Sequence, residues 1–386
     1  MTKRTDPVKP VKLCNGVTRY RFVVDVGRDP VTGKRKQKTF TFDTKREASE
    51  EYHRIKHETA LGTYVRPSKV TVNEYLDGWF EGVTRDLKPG TVANYRDALK
   101  PVRARLGDRP VQSITKADVE KLVTWMLTSG RRRGGTPGTG LSGRSARATL
   151  ARFTAALTMA QQEGVVVRNV AALVVPPKHV PTEREPWSAD EVRQFLAVAS
   201  ADRLHAAWRL SLYGLRRGEV LGLRWSEDVD LDAGTIRIAE TRVMVDGKVV
   251  IGTPKSRNGR RRLPMDAELV KALRALRAHQ AAERLAAGSA YADSGRVVVD
   301  ELGGPIWPEW YSDEFGRVIR AAGVRRITLH DSRHTTLTLM EHAGVPISII
   351  SRWAGHYDPS FTYSKYVHAA DEDLKTGTEA IAGLYN

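Results

Sequence analysis

Thr44, Thr71, Thr115 and Ser188 each stand three residues ahead of an acid, Glu47, Glu74, Asp118 and Glu191, and just before apolar residues at helical spacing. A hydroxyl so placed accepts from a backbone N–H in the first helical turn while the acid reaches back, so the spacing marks helix starts. Starts spread this widely commit the chain to a mainly helical architecture. At 386 residues it also exceeds what one core usually organises, and two or three domains are expected.

The first region, 1–65, departs from the helical theme. A polar tail leads into TRYRFVVDVG, DPVTGKRK turns the chain, and QKTFTF alternates again. Alternation of apolar and polar residues predicts a hairpin, followed by the helix that Thr44 starts and that runs to about Thr59. The region holds 15 Lys/Arg against 8 Asp/Glu, crowded into the tail and hairpin, with Lys34, Arg35, Lys36 and Lys38 together. A small sheet with a basic face can lay strands into a DNA groove; a solvated hairpin is the plainer alternative.

The second region, 66–177, reads as four helices: TVNEYLDGWF, LKPGTVANYRDALKPV with Lys88 and Pro89 at its start, ITKADVEKLVTWML, and SARATLARFTAALTMAQQEG ended by Gly164. Between the last two, SGRRRGGTPGTGLSGR carries Arg131, Arg132 and Arg133 and is expected to be an unpacked loop of the kind that orders on a phosphate backbone. After the proline-bearing link RNVAALVVPPKHVPTEREPW, the third region, 178–386, is helical with one small sheet. TIRIAETRVMVDGKVV and RRRLPM form that sheet, with Asp246-Gly247 as its hairpin turn.

The formal net charge of +17 favours a polyanionic partner, nucleic acid before membrane. One cysteine, Cys14, excludes an intramolecular disulfide and any multi-cysteine zinc knuckle. No apolar run reaches the ~20 residues that span a bilayer, and MTKRTDPVKP lacks the apolar core of a secretion signal, so a soluble cytoplasmic protein is expected.

Four stretches of the third region concentrate chemistry. YGLRRGEVLGLRW reads as an apolar helix interrupted by Arg216 and Arg217, costly unless paired or facing a ligand, with an exposed arginine at a helix start as the plainer reading. Glu219, three residues on, can orient the Arg216 guanidinium. In GTPKSRNGRRRLP, Lys255 stands at a strand end, able to act as general acid or to touch a phosphate. The flanking Arg257, Arg260, Arg261 and Arg262 point to an acidic partner. In HDSRHT, His330 and His334 have the spacing of a zinc pair, but no third ligand accompanies them and no metal is expected. His330 and Arg333 instead share a face and can hold one phosphate, leaving His334 as a packed core histidine. WAGHYDPSFTYSKYVH closes a short helix at Gly355-His356 and continues through Tyr363 and Tyr366. A tyrosine attacks only where cationic neighbours lower the cost of its phenolate.

Taken in order, Arg216, Lys255, His330, Arg333, His356 and Tyr366 resemble the active-site series of the tyrosine recombinases, specifically the phage-type integrases. The matching stretches are GLRRGEVLGLRW, TPKSRNGRRRLP, HDSRHT and AGH…TYSKYVH, and Tyr366-Val367-His368 matches the family's Y-x-H ending, which favours Tyr366 over Tyr363. The helical second region resembles the family's core-binding domain and the first its arm-site-binding domain. The fold so implied is multidomain and mainly α with small β-sheets: a β-hairpin-plus-helix arm-binding domain, a helical core-binding domain and an α+β catalytic domain.

The resemblance implies that Tyr366 attacks a scissile phosphodiester to give a 3′-phosphotyrosyl bond. Arg216 and Arg333 would bind the non-bridging oxygens, with Glu219 supporting Arg216. Lys255 would protonate the departing 5′-oxygen, His330 would assist at the tyrosine and His356 would donate to the phosphate. No cofactor, metal or ATP is implied. The partners implied are double-stranded DNA attachment sites of core and arm type and a homotetramer passing through a Holliday junction. A host DNA-bending protein and a directionality factor are the accessory partners. A resolvase-like recombinase of replicon dimers and a non-catalytic DNA-binding relative are the alternatives; the second requires loss of one of the six residues, and all are present.

Overall fold

The computed structural model describes residues 6–14, 16–28, 35–61, 64–131, 135–136, 138–179, 185–254 and 257–355, leaving aside the side chains of 26–28, 35–36 and 257. The chain divides into two compact units, Met1–Pro181 and Thr182–Asn386.

In the first unit, β1 (Lys9–Lys12), β2 (Thr18–Arg28) and β3 (Arg35–Phe42) form an antiparallel sheet in that order, followed by α1 (Lys45–Ala60). Alternation predicts β2 and β3 but not β1. KPVK becomes a strand by pairing with β2, Lys9 opposite Arg21 and Lys12 opposite Thr18. Successive residues point to opposite faces. Tyr20, Phe22, Val24, Phe40 and Phe42 therefore pack with Ala48 and Ile55 of α1, while Arg21, Val23, Thr39 and Thr41 are exposed on the other face. Thr44 caps α1 by accepting from the Glu47 N–H.

A helical bundle follows: α2 (Val72–Thr84), α3 (Pro89–Leu106), α4 (Lys116–Ser129) and α5 (Gly143–Gln162). Both halves of the capping box form at Thr71/Glu74 and at Thr115/Asp118. The helices close on Leu76, Leu99, Val102, Met126, Leu150 and Phe153. The loop between α4 and α5 was expected not to pack, yet its base does. Leu141 N–H donates to Met126 O at 2.7 Å, and Gly140 lies against the Leu127 carbonyl with no room for a side chain.

The second unit begins with α6 (Ala189–Ala199), α7 (His205–Leu212), α8 (Arg217–Val220) and α9 (Trp225–Asp228). The strands β4 (Val229–Asp230), β5 (Thr235–Ile238), β6 (Thr241–Val245), β7 (Lys248–Gly252) and β8 (Arg261–Pro264) follow. Then come α10 (Ala267–Ala287), α11 (Pro308–Ala322), α12 (Leu329–His342) and α13 (Ile347–Ala354). The single small sheet expected from the sequence is two: β4-β5-β8 and the separate hairpin β6-β7. The hairpin leaves the sheet because it crosses α8, where a Cβ on Gly218 or Gly222 would meet the Arg242 or Glu240 carbonyl at 2.9 or 2.5 Å. Asp246 and Gly247 both take positive φ, 50° and 74°, as a two-residue hairpin turn requires.

Trp187, Phe195, Trp208, Tyr311 and Phe315 form the aromatic centre of this unit. Trp208 and Tyr311 stack with centroids 4.6 Å apart, and the buried tyrosine hydroxyl donates to Ala207 O at 2.9 Å, satisfying a polar group that would be costly to leave unpaired. Among the described residues no helix is long and apolar enough to cross a membrane.

Candidate active site

The helix expected to be interrupted by Arg216 and Arg217 is not one helix. α7 stops at Leu212, Gly214 turns the chain at φ 87°, and Arg216 stands immediately before α8. The arginines thus break no apolar helix; the glycine ends it first. Arg216 is half-buried, and its Nη1 donates to Glu219 Oε1 at 2.7 Å while its backbone N–H donates to Oε2 at 3.0 Å. The expected pairing with Glu219 is therefore present.

Glu219 is 1% exposed and also accepts from Arg261, whose Nη2 lies 3.0 Å from Oε2. Burial alone would raise this carboxyl; Arg261 foremost, with Arg216, more than reverses it, and the group sits below the usual carboxylate range. The arginine run after Lys255 was read as pointing to an acidic partner. For Arg261 that partner is internal.

Arg333 is buried in α12, and its guanidinium donates to the Gly214 carbonyl at 2.6 Å and to the Ala354 carbonyl. It thereby ties α12 to the turn before Arg216 and to the end of α13. Two further bonds fasten this corner: Thr336 Oγ1 to Leu212 O at 2.6 Å and Trp353 Nε1 to Tyr213 O at 2.9 Å. α13 ends, as expected, at Gly355, here in the left-handed region.

His330 is exposed in the first turn of α12, and His334 is half-buried with its ring edge-on to His330, centroids 4.9 Å apart. Asp331 has a job the sequence reading missed. Its Oδ2 accepts from the Thr328 N–H and hydroxyl at 2.9 and 2.7 Å, closing a capping box that starts the helix. The Thr-x-x-Asp spacing was the available signal. Lys255, His356 and Tyr366 lie outside the described residues.

Of the basic residues expected at DNA, Lys34, Arg132 and Arg133 also lie outside them, as do the side chains of Arg35, Lys36 and Arg257. Lys38 holds its ammonium 5.0 Å from the centre of the Phe40 ring. Phe40 packs toward α1, so by strand alternation Lys38 leans to the covered face of the sheet, where Arg21 stands on the open one. Lys88 is exposed at the start of α3, and Arg260 is exposed just before β8. Arg131 sits at the base of its loop, its Nε donating to Gly140 O at 3.1 Å.

The chain matches three family models: Phage integrase family over residues 187–373, Phage integrase N-terminal SAM-like domain over 71–127, and Arm DNA-binding domain over 11–59. A tyrosine recombinase XerC-like protein of Caldanaerobacter subterraneus is 27% identical across the whole of both chains. Among solved structures, the Tn1549 transposon integrase in complex with a circular-intermediate DNA superposes with TM-score 0.65 at 19% identity, covering 81% of this chain and 99% of that one. A lambda integrase from a tetramer bound to a Holliday junction gives TM-score 0.55 at 20% identity, covering 93% and 98%. These last two likenesses are of fold.

Proposed function

The chain belongs to the phage integrase family and is a tyrosine-type site-specific recombinase, and we propose that it breaks and rejoins DNA through Tyr366. In this reading the Tyr366 oxygen attacks the scissile phosphorus, forming a 3′-phosphotyrosyl bond as the bond to the 5′-oxygen breaks, and Lys255 gives that oxygen its proton. Arg216 and Arg333 hold the non-bridging oxygens, where charge builds in the pentacoordinate transition state. His330 assists proton transfer at the tyrosine and His356 donates to the phosphate. Religation reverses the step with a partner strand's 5′-hydroxyl, so the bond energy is conserved in the covalent link.

One observation carries this reading: Arg333 grips the Gly214 carbonyl two residues from Arg216, whose guanidinium is itself fixed by a buried carboxylate. Two arginines anchored to one turn are prepared for one phosphate, and the reorganisation is met on folding rather than during reaction.

The substrate is double-stranded DNA with core and arm sites. The bundle 66–177 and the catalytic region 178–386 take the core site, while 1–65 takes arm sites through the open sheet face that carries Arg21, Val23 and Thr39. Lys88 and Arg260 lie on phosphates. The assembly is a tetramer that passes through a Holliday junction, working in the bacterial cytoplasm and nucleoid-associated when bound. A host DNA-bending protein and a directionality factor are its accessory partners. Integration of a phage or integrative element, with excision, is the outcome.

Strand exchange between two duplexes bearing the core site that the protein selects from random sequence, run in EDTA without ATP, tests this. Recombinant duplexes and a four-way intermediate are expected. Binding without exchange would favour the non-catalytic relative.

A further inference from the structure

Arg261 stands where three segments of the site meet. On β8 it and Leu263 face inward while Arg262 and Pro264 face out. Its side chain is 5% exposed. Nη1 and Nη2 donate to the two oxygens of Glu219 at 3.3 and 3.0 Å. Nη1 also donates to Gly259 O at 3.1 Å, and Nε donates to Trp353 O at 2.6 Å.

Each contact leads to a different part of the machinery. Glu219 is the carboxylate that holds Arg216. Gly259 closes the turn that follows Lys255 in the chain, and Trp353 lies three residues before His356. Gly355 seals the same corner, since a Cβ there would stand 2.8 Å from Asn258 O. A buried ion pair is weak evidence of a stabilising role, because an apolar side chain of similar volume often serves a core as well. What such a side chain lacks is the planar fork that satisfies several oxygens at once.

We propose that Arg261 is a positioning residue of the recombination reaction. It joins the carboxylate that holds Arg216, the turn at Gly259 and the end of α13 into one frame, and it acts on the phosphate only through the groups that this frame carries. This rests on the catalytic reading given above.

Single-turnover cleavage of a nicked core-site duplex, measured beside DNA affinity, tests it. Arg261→Lys keeps the charge and loses the fork. It is expected to cleave about tenfold or more slowly, as slight misplacement of reacting groups does, while binding DNA as wild type does. The double variant Glu219→Gln/Arg261→Met removes both buried charges together, so folding does not suffer an unpaired ion. It is expected to melt cooperatively and still cleave slowly. Wild-type cleavage by Arg261→Lys would overturn the proposal. So would recovered cleavage in the double variant, which would reduce Arg261 to a counter-ion. Failure of the catalytic reading itself looks different: wild type would give no covalent product, or Tyr366→Phe would give as much.

Discussion

The sheet of the first unit and the arginine cluster of the second hold positive charge in opposite ways. On the sheet, Arg21 stands exposed on an open face, touching Thr41 Oγ1 at 3.3 Å. In the second unit, Arg261 and Arg333 are buried, Arg261 pairing with Glu219 and Arg333 placing two of its five donors on carbonyls of the chain. Exposed charge attracts a polyanion at little cost to folding, but salt screens it. Buried charge is screened far less and is costly to leave unpaired. Attraction suits a surface that must find DNA, whereas fixed geometry suits one that must react with it.

Substitutions can break this contrast, beginning with the largest effect. Glu219→Ala strands Arg261 inside the second unit, and a loss of about 3–5 kcal/mol is expected, read from the midpoint of denaturant unfolding. A loss below about 1 kcal/mol would mean that Arg261 reaches water once freed. Arg216→Ala leaves Glu219 its Arg261 partner, so stability should hold while cleavage of a nicked substrate falls about 10²–10³-fold.

Asp118 sharpens the comparison from within the first unit. The Arg109 guanidinium, with Thr115 behind it, holds its carboxyl well below the usual carboxylate range. A depressed folded pKa adds stability above the unfolded value of about 3.9 and forfeits it as pH falls through the folded value. Asp118→Asn should therefore cost about 1 kcal/mol at pH 7 through the weakened cap. Its melting temperature should also fall less than that of wild type between neutral pH and pH 3. The smallest effect belongs to the open face. Arg21→Ala should move stability by less than about 0.5 kcal/mol, yet lower the slope of log K against log salt for arm-site binding by about 1.

Local signals made much of the fold legible. The caps at Thr71, Thr115 and Ser188 form as full boxes and Thr44 caps with its hydroxyl, because such a cap needs only residues three apart. β1 was hidden, since KPVK has no pattern of its own and owes its conformation to β2. The separation of the β6-β7 hairpin from β5 depends on Gly218 in α8 and Gly222 just after it, distant in sequence. In the site, the Arg216–Glu219 pair was readable as a local spacing. Arg261 was not, because an arginine run masks which member turns inward; alternation with Leu263 was the one clue. The cap at Thr328 has a legible Thr-x-x-Asp spacing, but the same turn carries His330, Arg333 and His334, whose chemistry competes with it as a signal.

The central claim is that Tyr366 carries the covalent step. Wild-type protein and Tyr366→Phe should each be incubated in EDTA with a nicked duplex bearing the selected core site and resolved on a denaturing gel. The account predicts a protein–DNA adduct for wild type, whose nucleotide-bearing peptide maps to Tyr366, and none for the variant. An adduct of equal yield in Tyr366→Phe, or one mapped to Tyr363, would contradict it.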